Sequence, residues 1–513
     1  MRRRVLAVVA SLVVAAALFV FVIRLGEPLG VDQGLFACFT RWVPRGWLPY
    51  RDLFDSKPPL FLYWWALPAA IPGDFGRAIW WTEGLWLAAT SVVAFRVARS
   101  LFGAAAGVAT GGLLLVGLSA PGFGGFWSRA QAEELLVLPM LASLSWALRP
   151  GARAAFGAGV LVGVCGLFKI PSMAIAGAWV VLFAARHPRR EAAVRTLLLG
   201  LGVVTPWALA VAWFSAHGAF RAFVDGVFVY HRHNAVFIAP PWDAVLDGFS
   251  REMLDTTPLL LAAAAFGLFA LLRRRASAGW WLATFVAVTC AAVVLQRQLA
   301  GYHFLLTVPA LALAGGYGVA VATRAIRRSG RVRVVGALTG LVLLALGART
   351  LSSYAEAYGP GLSYTLGRTD RPRYLLTIQQ GSYSNLMEEE AARYLAKEAP
   401  KEAGVFVWGL SPGIYALADR HPTTRYPFHK LLYTEAPLSR MIPGLEARRA
   451  ELLARLDRDP PLFVLVGRND GNAFDPLDSY RSLQRFTALD DRVRRDYALT
   501  NQIGRFLVYR RKP

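Results

Sequence analysis

The sequence predicts a polytopic α-helical membrane protein with a small α/β domain outside the membrane at its C-terminal end. Three observations lead there. Hydrophobic residues make up 55% of the 513 residues and charged residues only 17%, whereas a water-soluble protein carries roughly 25% charge. Mean hydropathy is +0.41. Apolar runs of spanning length recur up to about residue 348, after which the composition turns to that of a soluble chain. With 16 Trp and 30 Phe the chain is not disordered, and its three cysteines, Cys38, Cys165 and Cys290, are too few and too scattered for a disulfide scaffold or a CxxC zinc motif.

The net charge of +23 would suit nucleic acid binding in a soluble protein. Here the arginines cluster between apolar runs, as retention of Arg and Lys in cytoplasmic loops produces, so no nucleic acid partner is expected. Met1-Arg2-Arg3-Arg4 precedes an apolar run from Val5 to Ile23 with no small-residue cleavage site after it. It reads as an uncleaved first helix with a cytoplasmic N-terminus. Further runs lie near 77–98, 103–119, 130–148, 154–168, 171–185, 196–215, 256–272, 279–295, 303–323 and 333–348. Eleven crossings place Arg96/Arg99, Arg149/Arg153, Arg186–Arg195, Arg273–Arg275 and Arg324–Arg333 all inside. Residues 58–72 are too short an apolar stretch to cross and are Trp-rich, which suits an interfacial helix. Residues 154–185 are too long for one span and should turn at Lys169-Ile170-Pro171. The expected division is therefore 1–348 for the membrane domain and 349–513 for the outer α/β domain, with strands at Val405–Trp408, Leu462–Val466 and Phe506–Tyr509 and a helix at Pro412–Ala418.

This topology collects ionisable residues at the outer face. The first loop carries Asp32, Arg51, Asp52, Asp55 and Lys57. Later segments add Arg129, Glu133, Lys169, Tyr230-His231-Arg232-His233-Asn234, Arg297 and Tyr302-His303. Charges at a membrane boundary are expensive and mark function by default. Each has a plainer reading as well: Asp32 as the N-cap of an interfacial helix, Lys57 as a snorkelling side chain, Glu133 as a carboxylate favoured by a helix dipole. Arg297 and His303 would then mark a helix boundary, and His231 and His233 would be loop residues. The H-x-H pair alone is weak evidence for a metal, and no metal site is assigned. Carboxylates and cations at one level suit a phosphate on a lipid tail: cations stabilise the leaving phosphate, and a carboxylate takes the proton of an attacking hydroxyl. A divalent ion would assist phosphate binding, but no ligand set demands one.

Several stretches together resemble the bacterial GT-C glycosyltransferases of the protein-mannosyltransferase, or glycosyltransferase family 39, type. They are an acid just after the first membrane helix followed by PYRDLFDSKPPLFLYWWAL, then RAQAEELLVLP, GLFKIPS, YHFLLTVPALAL and VFVWGLSPGIYALADRHPTTRY. The likeness runs from about residue 30 to residue 430 and is specific in combination. It implies a GT-C fold and an inverting transfer of a mannose- or arabinose-like sugar from a polyprenyl-phosphate carrier to a lipid, glycan or protein hydroxyl. The site would be the outer face of a bacterial cytoplasmic membrane. Asp32 falls at the family's catalytic acid. Where the family often has Asp-Glu, this chain has Asp32-Gln33, leaving Glu133 or Asp55 as the second carboxylate. Lys57 (in KPP), Lys169 and Arg297 fall where carrier-phosphate contacts are expected, with His303 and Arg129 as further candidates. Two other classes fit the composition: a polyprenyl-linked transporter or flippase, whose polar residues would sit at the midplane of repeated halves, and a non-catalytic cell-envelope assembly protein. Reporter fusions after Arg275 and after Leu351 should fall on opposite sides of the membrane, the first inside and the second outside; an inside signal for both would overturn the topology.

Overall fold

The computed structural model describes residues 2–237, 240–379, 381–435, 439, 442–471 and 476–513. All eleven apolar runs are helical. Among the described residues, six helices are long and apolar enough to cross a membrane: Arg4–Arg24, Phe75–Phe102, Arg189–Ala216, Ser277–Val294, Gly301–Ile326 and Arg331–Thr365. Trp242–Thr256 and Pro258–Arg273 form a bent pair, 97° apart, that makes up to a seventh. Ala104–Leu118, Ala152–Phe168 and Ile170–Arg186 are apolar but shorter; at 1.5 Å per residue, 15 residues reach about 22 Å of a roughly 30 Å hydrocarbon core. The protein is thus a multi-pass membrane protein with six to seven spans by length and composition among the described residues, against the eleven crossings that the runs suggest. Residues 58–72 form a short helix, Pro59–Trp64, followed by a 3-10 turn, Leu67–Ala70. The last apolar helix does not stop at 348 but continues through Pro360 to Thr365.

Two compact units emerge. The first comprises Met1–Gly26, Trp80–Ala212 and Pro240–Leu362. Its most enclosed helix is Val308–Ile326, which packs against Ala104–Leu118 and Pro258–Arg273. Small residues make the approach close enough: a Cβ on Gly316 would lie 2.0 Å from the Thr110 hydroxyl, and one on Gly267 would lie 2.0 Å from the Ala314 carbonyl. Membrane helices associate through such backbone proximity, because lipid offers no hydrophobic drive between them. By contrast the apolar windows of Arg4–Arg24 and Arg331–Thr365 are only 6% buried, as for helices that present themselves to lipid.

The second unit comprises Glu27–Ile79, Trp213–Ala239 and Ser363–Pro513. Its sheet has four strands, β1 (Val405–Trp408), β2 (Phe463–Gly467), β3 (Tyr497–Ile503) and β4 (Phe506–Arg511), in the order β1-β2-β4-β3. The first pair is parallel and the others antiparallel. VFVW and FVLVG are buried along their whole length, as expected of strands covered on both faces. Three of these strands are legible from apolar runs. β3 is not, because after Tyr497 it is exposed, an edge strand with polar residues and an irregularity between Leu499 and Asn501. The core of this unit includes Phe406, Trp408, Leu452 and Val466, and also Phe54 from the first loop. The helix Val31–Trp42 packs on Gly413–Ala418 so tightly that a Cβ on Gly34 would lie 2.8 Å from the Gly413 backbone. Arg41 Nε donates to the Ala416 carbonyl at 2.9 Å.

Candidate functional site

The expected site residues fall into one set in each unit. In the second unit, Asp32 lies in the first turn of Val31–Trp42, and the N-cap is Gly30, without a side-chain cap. The capping reading of Asp32 is therefore wrong: its carboxylate sits two residues too far along, near the positive end of the helix but not closing it. Asp55 is buried, 6% exposed, and accepts the Lys57 backbone N–H at 2.6 Å. Tyr50, at φ +70°, turns the loop, and its hydroxyl donates to the Lys57 carbonyl at 2.7 Å. Lys57 extends its ammonium 5.4 Å from the centre of the Phe36 ring, on the helix that carries Asp32. Asp32, Asp55 and Lys57 thus share one electrostatic group: burial pushes the Asp55 carboxyl up to about 6, Lys57 and backbone N–H donors pull it down, and the Asp32 charge pushes it up.

The two histidines of the H-x-H pair lie on the helix Tyr230–Phe237, not in a loop. His231 Nε2 faces the Ser56 carbonyl at 2.7 Å and His233 Nδ1 the Val229 carbonyl at 2.9 Å. A carbonyl only accepts, so both nitrogens donate. Among the described residues no three His, Cys, Asp or Glu side chains group as metal ligands.

In the first unit, Lys169 interrupts two helices: Ala152–Phe168 ends, Lys169 is extended at φ −157°, and a 3-10 turn over Ile170–Ala174 follows. Pro171 enforces the break. This exposes the Lys169 ammonium to Glu133, fully buried on the short helix Ala132–Leu135, and the two form an ion pair. His303 Nε2 is 3.6 Å from the same carboxylate, its Nδ1 donating to the Gln298 carbonyl at 2.5 Å. Glu133, Lys169 and His303, far apart in sequence, therefore come together in one cluster, with the Tyr302 ring 6.0 Å from the Lys169 ammonium.

Arg129 and Arg297 have partners of their own. Arg129, 2% exposed, is paired with Glu83, its Nε 3.0 and 2.9 Å from the two carboxylate oxygens. Its guanidinium lies 3.9 Å from the Trp80 ring centre and donates to the Arg24 carbonyl at 2.6 Å. Arg297, at φ +54°, donates through Nε to the Pro240 carbonyl at 3.0 Å and stacks 4.7 Å from the Trp242 ring. Sequence reasoning missed Glu83 and Glu134, which share a buried network with Arg24 and Arg129. Glu83 did leave a signal, a carboxylate within the apolar run 77–98.

No family model matches the sequence, and no curated protein does. Solved structures do. The chain superposes on ArnT from Cupriavidus metallidurans bound to undecaprenyl phosphate with a TM-score of 0.59 and 15% identity, over 97% of each chain. The apo state of that protein gives 0.61 and 16%, again over 97% of each. The apo oligosaccharyltransferase of Archaeoglobus fulgidus gives 0.52 and 13%, over 89% of this chain and 69% of that one. At these identities the likeness establishes the fold, which is of the GT-C type that the sequence motifs suggest.

The elevated Asp55 carboxyl has a consequence for stability. A carboxyl raised from 3.8 to about 6 on folding is protonated in both states at low pH and resists ionisation in the folded state at higher pH. Its stabilising contribution is complete below about pH 4 and is lost as pH rises through about 6. Asp55→Asn keeps the acceptor for Lys57 and cannot ionise. Its thermal stability in detergent should match wild type below about pH 4 and exceed it by up to about 3 kcal/mol above pH 6; equal stability at pH 7 would contradict the burial argument.

Proposed function

We propose that the protein is an inverting glycosyltransferase that moves a sugar, mannose- or arabinose-like, from a polyprenyl-phosphate carrier to an acceptor hydroxyl at the outer face of a bacterial cytoplasmic membrane. The observation that carries this reading is the grouping of Asp32, Asp55 and Lys57 on one helix and one loop. It occurs in a chain that shares its fold, end to end, with a protein bound to undecaprenyl phosphate.

Asp32 takes the proton of the acceptor hydroxyl as its oxygen attacks the anomeric carbon. The bond from that carbon to the phosphate oxygen breaks, its electron pair leaves with the polyprenyl phosphate, and attack from the opposite face inverts the centre. Asp55 is the second carboxylate, holding the acceptor. Lys57 stabilises the charge on the departing phosphate, work that a preorganised cation does well in a site poor in water. In the first unit, Lys169, Arg297 and His303 are proposed as candidate phosphate contacts in their own right, with Glu133 setting the position of Lys169. Arg129, engaged with Glu83, would act by holding the turn that carries Glu133.

Asp32→Asn preserves shape and removes proton acceptance. It should lower transfer by roughly 10²–10⁴-fold with donor binding intact. Lys57→Ala and Lys169→Ala should instead weaken donor use by about 1.5–3 kcal/mol each, the worth of a charge-assisted contact. Near-wild-type turnover by the purified Asn variant would remove Asp32 from the mechanism.

A further inference from the structure

The loop that carries Asp55 and Lys57 is held from one side by a buried arginine that belongs to neither candidate set. Arg448 lies on the helix Leu445–Arg458 and is 4% exposed. Its guanidinium carbon sits 4.5 Å from the Phe54 ring centre, 5.3 Å from that of Tyr426 and 5.8 Å from that of Tyr230. Nε donates to the Pro443 carbonyl at 3.0 Å, and Nη2 lies 3.4 Å from Asp225 Oδ2. Nη1 is buried with no hydrogen-bond partner among the described residues. Leaving such a donor unmade costs about 1–3 kcal/mol, and an apolar side chain would fill the same space without it. Packing alone does not account for an arginine here.

Two of its contacts, with Phe54 and Asp225, bear on the loop. Phe54, under the guanidinium, precedes Asp55 and donates its N–H to the Arg425 carbonyl at 2.8 Å. Asp225 opens a π-helical turn, Asp225–Val229, a distortion that recurs at functional sites. The next residue, Gly226, lies so close to the loop that a Cβ there would be 2.6 Å from the Tyr50 ring and 3.0 Å from the Asp55 carbonyl. One turn on, His231 donates to Ser56. The Arg448–Asp225 pair therefore joins the helix Leu445–Arg458 to the segment that backs the loop, with the Phe54 ring against the guanidinium.

We propose that Arg448 is a positioning residue that sets the placement of the Asp55–Lys57 loop, and that this is a task of the C-terminal part of the chain in the reaction. The inference rests on the proposed function for its catalytic consequence, but not for its structural one. A planar guanidinium can lie flat on aromatic rings while reaching a carboxylate, which an ammonium cannot do.

The test reads Asp55 directly. The groups that face its carboxyl are Asp32, Lys57, Tyr50 and the backbone N–H groups of Ser56 and Lys57, with His231 at the adjoining carbonyl. Difference infrared spectra of the purified full-length protein labelled with ¹³C-aspartate, less the Asp55→Asn spectrum, give its titration midpoint. Arg448→Lys keeps the charge and loses the planar stack; Phe54→Leu removes the ring and keeps Arg448. In both, the midpoint should fall from about 6 toward the ordinary value as water reaches a loosened loop, and kcat/KM for the donor should drop roughly tenfold or more. Folded variants that keep the midpoint overturn the proposal, and so does a lowered melting temperature with an unmoved midpoint. A shifted midpoint in a protein with no sugar transfer supports the positioning and overturns the functional reading alone.

Discussion

The burial of Phe54 is the constraint on which the arrangement of the second unit depends. A loop between two helices of a membrane protein would ordinarily sample many conformations, each ordered residue opposing about 1–2 kcal/mol of backbone entropy. Here an aromatic side chain from residue 54 is part of the same core as Trp408, Leu452 and Val466, residues some 350 positions and more along the chain. Once that ring is in place, the next residue must be the buried Asp55, and Lys57 must return over Phe36. The carboxylate and the ammonium are thus set by packing that neither of them supplies.

The first unit solves a different problem, how to hold charge among apolar helices. Glu83 with Arg129, and Glu133 with Lys169, are neutral pairs with all four side chains buried or nearly so. Breaking such a pair leaves an uncompensated charge, which typically costs about 3–5 kcal/mol, so the pairs also fix where the short helix Ala132–Leu135 and the break at Lys169 must lie. Adjacent carboxylates diverge there: Glu133 turns to Lys169 and His303, while Glu134 accepts the Ala130 N–H. A reading of Lys169 as a free cation awaiting a phosphate leaves out the carboxylate that already holds it.

Much of the fold was legible because lipid permits few solutions: each long apolar run had to become a helix, and each did. The turn at Lys169 was legible because residues 154–185 are too long for one span, and three strands were legible from short apolar runs. What stayed hidden depended on contacts distant in sequence. β3 shows no apolar run because its outer positions are exposed. The plainer alternative for Asp32, a cap, arose because it opens an amphipathic stretch, while Gly30, two residues earlier, has the extended backbone that the cap position requires. Arg448 sits in a charged helical segment, LEARRAELLARLDR, where nothing separates it from its solvent-facing neighbours. The rings of Phe54, Tyr230 and Tyr426, from three other stretches of chain, single it out.

The central claim is that this chain breaks a sugar–phosphate bond on a prenyl carrier. The direct measurement is incubation of the purified protein with carrier lipids bearing a radiolabelled sugar, followed by separation of lipid carrier from product. The account predicts that label leaves the polyprenyl phosphate and appears on an acceptor as carrier phosphate is released. Label that stays on its carrier, whether it remains in place or crosses a reconstituted bilayer intact, would contradict it.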